Sequence, residues 1–171
     1  MAKKNLRPSI LTDVAFGLLA GAFATFVMDQ VSGCAYQLED EKTRKQEEEI
    51  RHQEYPPELL ASKLVRAVNG ADLDKEEKQK YGKAIHWAYG IGWGGMYGAL
   101  RGRVPFADAA SGVAFGLGLW LIGDELVVPA LDLSPPSAAF PWQNHARAAA
   151  NHLAYGSTLG LSHSLLRKIS E

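Results

Sequence analysis

The sequence predicts an all-α protein: a four-helix transmembrane bundle with glycine-rich helix packing and an amphipathic extramembrane helical segment. Three observations predict it. Stretches without Asp, Glu, Lys or Arg recur at 14–27, 84–100, 109–123 and 148–166, while charge crowds into 39–83. Each apolar stretch carries glycines four residues apart: Gly17 and Gly21; Gly90, Gly94 and Gly98; Gly112 and Gly116; Gly156 and Gly160. The short connections on one side of the expected bundle hold nearly all the flanking Lys and Arg.

Composition sets the outer limits. A chain of 171 residues suits one domain. With 18 Lys and Arg against 19 Asp and Glu, the chain lacks the basic excess that phosphate binding needs, so nucleic acid is not an expected partner. One cysteine permits no internal disulfide and argues against a cysteine metal site. The mean hydropathy of −0.13 averages over segments of opposite character. The 17 glycines lie mostly within apolar runs. An interior glycine costs a soluble helix about 1 kcal/mol relative to alanine, whereas membrane helices use it to bring backbones together. A soluble all-α domain burying the same helices would have to absorb that cost repeatedly.

The first expected span is 12–35, long enough for a bilayer that needs roughly 20 residues. Asp29 lies near its far end. The basic start, the apolar run and Val31-Ser32-Gly33-Cys34 also have the form of a lipoprotein signal cleaved before Cys34, but Asp29 and Gln30 stand where such signals are apolar or small. An outer segment, 36–83, follows. Glu39 to Arg51 reads as a solvated helix, which Pro56-Pro57 interrupts. Pro57 suits the first turn of the next helix, and Gly70 ends it. Leu60, Leu64 and Val68 make an apolar stripe that packs over the bundle or lies on the membrane surface. Asp74 and Glu77 form a capping box for a further helix.

That helix leads into the second span, 84–100, edged by Trp87, Tyr89, Trp93 and Tyr97 and closed by Arg101, Arg103 and Pro105. The third span, 109–130, carries only Asp124 and Glu125 as charges. Pro135, Pro136, Pro141 and Trp142 stiffen the next loop, and the fourth span, 148–166, ends in Arg167 and Lys168. Lys3, Lys4, Arg7, Arg101, Arg103, Arg167 and Lys168 then share one side, which the positive-inside rule makes cytoplasmic. The expectation is a multi-pass protein of a bacterial inner membrane with both termini in the cytoplasm.

Residues four apart share a helix face. Asp29 continues the stripe of Gly17, Gly21 and Thr25; His86 begins that of Gly90, Gly94 and Gly98; Asp124 continues that of Gly112, Gly116 and Trp120; His152 begins that of Gly156, Gly160 and Ser164. His86 and His152 stand fifteen residues from Arg101 and Arg167, and Asp124 and Asp29 sixteen from Asp108 and Asp13. At helical rise each lies roughly 22–24 Å from its cytoplasmic marker. One intramembrane polar layer of Asp29, His86, Asp124 and His152 follows, and such residues are default functional candidates. Glu125, pointing about 100° away from Asp124 on an α-helix, and Asn144, His145 and Asn151 are accessory candidates.

Two carboxylates and two imidazoles suit proton relay, a small cation, zinc, or haem ligation by two histidines. They equally suit Asp–His pairs that lock the bundle, or a layer high enough to meet water. A phosphate loop, dinucleotide fingerprint, zinc-protease pair and nucleophile elbow are all missing, so the reading is non-enzymatic. Besides the lipid bilayer, the glycine faces or the charged outer loop offer surfaces for a protein partner or a second copy.

The stretch from His86 to His152 resembles the YagU-like family of small bacterial inner-membrane proteins of unknown function. The resemblance rests on His86, Tyr97, Pro105, Gly112, Gly116, Pro129, Leu133, Pro135-Pro136, Pro141-Trp142 and His152, with a weaker likeness at Gly17, Ala20-Gly21 and Phe26-Val27. It implies an integral inner-membrane protein with four helices and supplies no substrate. Asp124 stands where the family pattern has His, and Asn144 and Ala148 where it has acids. These departures tell against a fixed metal site and less against a hydrogen-bonded one.

Overall fold

The computed structural model describes residues 9–52, 54–104 and 112–170. It is all-helical, and no strand occurs among the described residues. Lys3, Lys4, Arg7, Pro105, Asp108 and the first residues of the third expected span lie outside them.

Helix α1 (Ile10–Leu38) begins at Ser9, whose hydroxyl accepts from the Thr12 N–H at 3.2 Å. It runs unbroken through Val31 to Cys34, which is exposed. Helix α2 (Glu41–Ile50) is capped by Asp40, and α3 (Pro56–Asn69) starts with proline in its first turn and stops at Gly70 in the left-handed conformation (φ 72°). Helix α4 (Lys75–Leu100) opens with the expected Asp74–Glu77 capping box. Helix α5 (Val113–Ala130) starts after Gly112, whose φ of 98° disfavours any side chain. Its stretch Leu119–Val127 is wound as a π-helix. A short 3-10 turn, Ser137–Ala139, precedes α6 (Trp142–Ser170).

The glycine stripes decide which helices meet. Gly17 and Gly21 of α1 lie against Gly90, Gly94 and Gly98 of α4; a Cβ at Gly21 would stand 2.9 Å from Gly94 Cα. Gly112, just before α5, and Gly116 within it lie against Gly156 and Gly160 of α6 in the same way. All four expected stripes are therefore used inside the chain. Helix α1 also packs along α6. Tyr97, Trp93, Phe115 and His163 join the two helix pairs through edge-to-face ring contacts at 5.2–6.1 Å.

Small residues are buried and large apolar ones exposed along several helices. Gly17, Ala20, Gly21 and Ala24 are buried, while Leu19 and Phe23 of α1, Leu121, Ile122 and Leu126 of α5, and Leu161 and Leu165 of α6 are exposed. Two of the four expected spans, α1 and α5, are long and apolar enough to cross a membrane. Helices α4 and α6 have 26 and 29 residues, but each begins with polar turns.

The outer segment departs from expectation in two places. Helix α2 is not simply solvated: Thr43 and Glu47 are buried, and Arg147 of α6 pairs with both Glu39 and Glu47. The α3 stripe divides. Ala61 is buried, Leu60 borders a cavity, and Glu58 packs on Gly82 of α4, whereas Leu64 and Val68 stay exposed.

Candidate functional site

A cavity of about 680 Å³ lies between α1, α4, α5, α6 and the α2–α3 corner. Its wall includes Asp29, His86, Asp124 and His152, together with Glu125, Asn144 and His145. Asn151, also a candidate from the sequence, is not on the wall. It is buried elsewhere, and its Oδ1 has no partner among the described residues.

The four residues form two cross-helix pairs. His86 Nε2 is 3.0 Å from Asp29 Oδ1, tying α4 to α1. Asp29 Oδ2 accepts from Trp87 Nε1 at 3.1 Å, so both oxygens of this carboxylate are engaged. His152 is looser. Its Nδ1 donates to the Ala148 carbonyl at 3.0 Å and lies 3.7 Å from Asp124 Oδ2, within ion-pair range but beyond a hydrogen bond. Asp124 accepts no hydrogen bond among the described residues, and its side chain is 42 % exposed, which leaves the carboxylate open to the cavity.

A third pair involves two accessory candidates. His145 Nδ1 is 2.7 Å from Glu125 Oε1, and Trp120 Nε1 donates to the same oxygen at 3.0 Å. Glu125, an accessory candidate from the sequence, reaches the cavity as Asp124 does. The stretch Leu119–Val127 that carries both is wound as a π-helix. Ser137 Oγ donates to the Glu125 carbonyl at 2.9 Å and ties the proline-rich loop to this turn.

Arg51 was not foreseen. It ends α2, reaches the cavity wall, and lies over the rings of Phe140 (4.6 Å) and Tyr55 (5.6 Å). It has no carboxylate within ion-pair distance among the described residues. Burial lowers its pKa, with the charges of Glu47, Tyr55 and Asp124 acting the other way. One sequence signal pointed to it: Thr43, Glu47 and Arg51 recur every four residues and so share one face of a helix otherwise read as solvated.

The opposite end holds a second cluster. Asp13 is 2 % exposed, with Arg103 at 3.1 Å from Oδ2 and Arg167 at 3.6 Å from Oδ1. His163, left out of the expected site, is fully buried there and donates to the Asp13 carbonyl at 3.1 Å. This cluster joins the start of α1 to the ends of α4 and α6.

A tetrahedral zinc needs three or four converging ligands. Among the described residues no three His, Cys, Asp or Glu side chains converge in that way. The cavity instead presents carboxylate–imidazole pairs.

Fold and site thus define an all-helical protein with two helices apolar enough to cross a membrane and, between its helices, a largely apolar cavity into which several ionisable side chains reach. The chain belongs to a family of proteins of unknown function, DUF1440, whose family model matches residues 42–161. That match runs from α2 into α6 and takes in Arg51, His86, Asp124, Glu125, His145 and His152, while Asp29 lies before it. No curated protein and no solved structure matches the chain.

Proposed function

We propose that this chain is a YagU-like, four-span protein of a bacterial inner membrane that handles protons, or a small cation, through the Asp–His wall of its cavity. Helices α1 and α5 are two of the spans, and the apolar parts of α4 and α6 are the others. Support for the membrane setting comes from the exposed leucines, isoleucines and phenylalanines on helices whose glycines and alanines are buried. In lipid, helix association rests on close small-residue packing rather than on burial of large apolar side chains.

The observation that carries the proton reading is the set of three carboxylate–imidazole pairs, Asp29–His86, Asp124–His152 and Glu125–His145, around one cavity. Imidazole is the side chain whose ordinary titration spans neutral pH. In Asp29–His86 and Glu125–His145 one ring nitrogen lies within hydrogen-bond distance of a carboxylate, which leaves the other as the position that takes up and releases a proton. Purified protein in liposomes with an entrapped pH dye tests this. An imposed pH gradient should collapse faster than in empty liposomes, and His86→Ala with unchanged helicity should slow it. Equal rates for wild type, variant and empty liposomes would end the reading.

A second reading, an accessory subunit that binds another membrane protein, has one observation in its favour. Leu64 and Val68 are exposed on α3, outside the proposed spans. Detergent pull-down with Leu64→Ser and Val68→Ser as controls separates the two, since neither substitution touches the cavity.

A further inference from the structure

The cavity wall carries a guanidinium with no ion-pair partner among the described residues and a carboxylate, Asp124, whose one ion-pair contact among them is the loose one to His152. Arg51 has no carboxylate within ion-pair distance among the described residues, although Phe140 and Tyr55 hold its guanidinium in place by ring contacts. Among the described residues Asp124 accepts no hydrogen bond; His152 Nδ1, which donates to the Ala148 carbonyl, lies 3.7 Å from its Oδ2. The other wall carboxylates are engaged: Asp29 by His86 and Trp87, Glu125 by His145 and Trp120, and Glu58 by the Tyr55 N–H at 3.3 Å. Lys83 also borders the cavity, from an exposed position. Arg51 and Asp124 both line the cavity and form no ion pair with each other. A guanidinium fork suits a carboxylate or phosphate, and an open carboxylate suits an ammonium. A volume of about 680 Å³ falls within the usual range for small-molecule sites, and Tyr89 and Trp93 give the wall an aromatic component.

We infer that the cavity binds a small zwitterion, with its anionic group on Arg51, its ammonium on Asp124 and its apolar body against the aromatic wall. The chemistry is an ammonium and an anion a few bonds apart, carried by a free amino acid or by a phosphoethanolamine headgroup. The inference uses the cavity of the proton-handling reading but not proton movement. Binding in detergent can succeed where liposome flux fails, and the reverse.

The test is a titration of purified full-length protein in detergent, read by tryptophan fluorescence and by thermal shift. Phenylalanine is compared with phenethylamine and 3-phenylpropionate, each of which lacks one charge. Lyso-phosphatidylethanolamine is compared with lyso-phosphatidylglycerol. A charge-assisted hydrogen bond corresponds to roughly tenfold or more in Kd, so at least one zwitterion should bind about tenfold tighter than its singly charged counterparts. Preference by phenylalanine marks a free ligand, and preference by the lysolipid alone marks a headgroup site. Asp124→Asn should abolish the advantage over the anionic counterpart and Arg51→Met the advantage over the amine, while Arg51→Lys keeps part of it. Far-UV helicity and gel filtration confirm that each variant is folded. Equal binding of zwitterions and singly charged compounds, no binding at all, or a preference that survives both substitutions would overturn the inference.

Discussion

His86 Nε2 meets Asp29 Oδ1 at 3.0 Å across the seam between α4 and α1, four residues before Gly90 begins the α4 glycine stripe. Close backbone approach therefore ends in a polar bridge. The stripe brings the helices near enough for short side chains to touch, and the bridge fixes their register. Trp87 of the same helix donates to the other Asp29 oxygen.

This pairing predicts measurable coupling. Both side chains are about one-third exposed, so solvent screens the interaction. His86→Ala and Asp29→Ala should each destabilise the protein. The double variant should lose less than the sum, with a coupling of about 0.5–1 kcal/mol. Asp29→Asn keeps hydrogen-bond acceptance and should cost less than Asp29→Ala. Thermal unfolding in detergent gives the four corners of the cycle, and additive losses would show that the contact contributes nothing.

The seam itself makes a sharper prediction. A Cβ on Gly94 would stand 2.6 Å from Gly21 Cα, backbone against backbone, with no flexible side chain to yield. Gly92, two residues earlier, faces open space with nothing within 4 Å. Gly94→Ala should therefore destabilise by roughly 1–3 kcal/mol, as overpacking does. Gly92→Ala should be neutral or gain up to about 1 kcal/mol from helix propensity. The same thermal measurement decides, and equal effects would mean the seam is loose.

How much of this was legible in the sequence follows from the range of each interaction. Four-residue spacing is local, so the glycine stripes and the shared faces of Asp29, His86, Asp124 and His152 could be read from one helix at a time. Which stripe meets which is not local, and the pairing of α1 with α4 and of α5 with α6 came only with the structure. Arg51 and Glu47 were hidden because a charge-rich run looks solvated until α6 supplies Arg147 and the loop supplies Phe140. Asp13 served as a boundary marker, although Arg103 and Arg167 reach it from two other helices.

The buried acid of α2 predicts a pH dependence. Burial raises the Glu47 carboxyl above the ordinary glutamate range, while the neighbouring Asn144 side chain and the charges of Arg51 and His145 draw it down. A carboxyl with a raised folded-state pKa binds its proton more tightly in the folded chain than in the unfolded one. Its contribution favours folding at low pH and is lost as pH rises from the ordinary glutamate value through the raised one. Glu47→Gln removes that titration but keeps a polar partner for Arg147, which also retains Glu39. The melting temperature of the variant relative to wild type should rise from acid to neutral pH. A constant gap would show that Glu47 does not titrate abnormally.

The single cysteine supplies a direct test of topology. Cys34 is exposed, lies at the end of α1 remote from Asp13, and is the only thiol in the chain. The proposed orientation puts Asp13 and its arginine partners on the cytoplasmic face, where positive charge is retained, so Cys34 falls on the outer face. A membrane-impermeant maleimide added to intact spheroplasts should label it without lysis. In a Cys34→Ser background, a thiol placed by Ser170→Cys, at the far end of α6, should be labelled only after lysis. Helix α6 carries Arg167 and Lys168 in its last turn, and Arg167 reaches Asp13, so the two reporters bracket the bundle along its axis. Reversed labelling would invert the topology and leave the fold intact. Labelling of both thiols in intact spheroplasts would remove the four-span arrangement and with it the intramembrane setting of the Asp–His cavity.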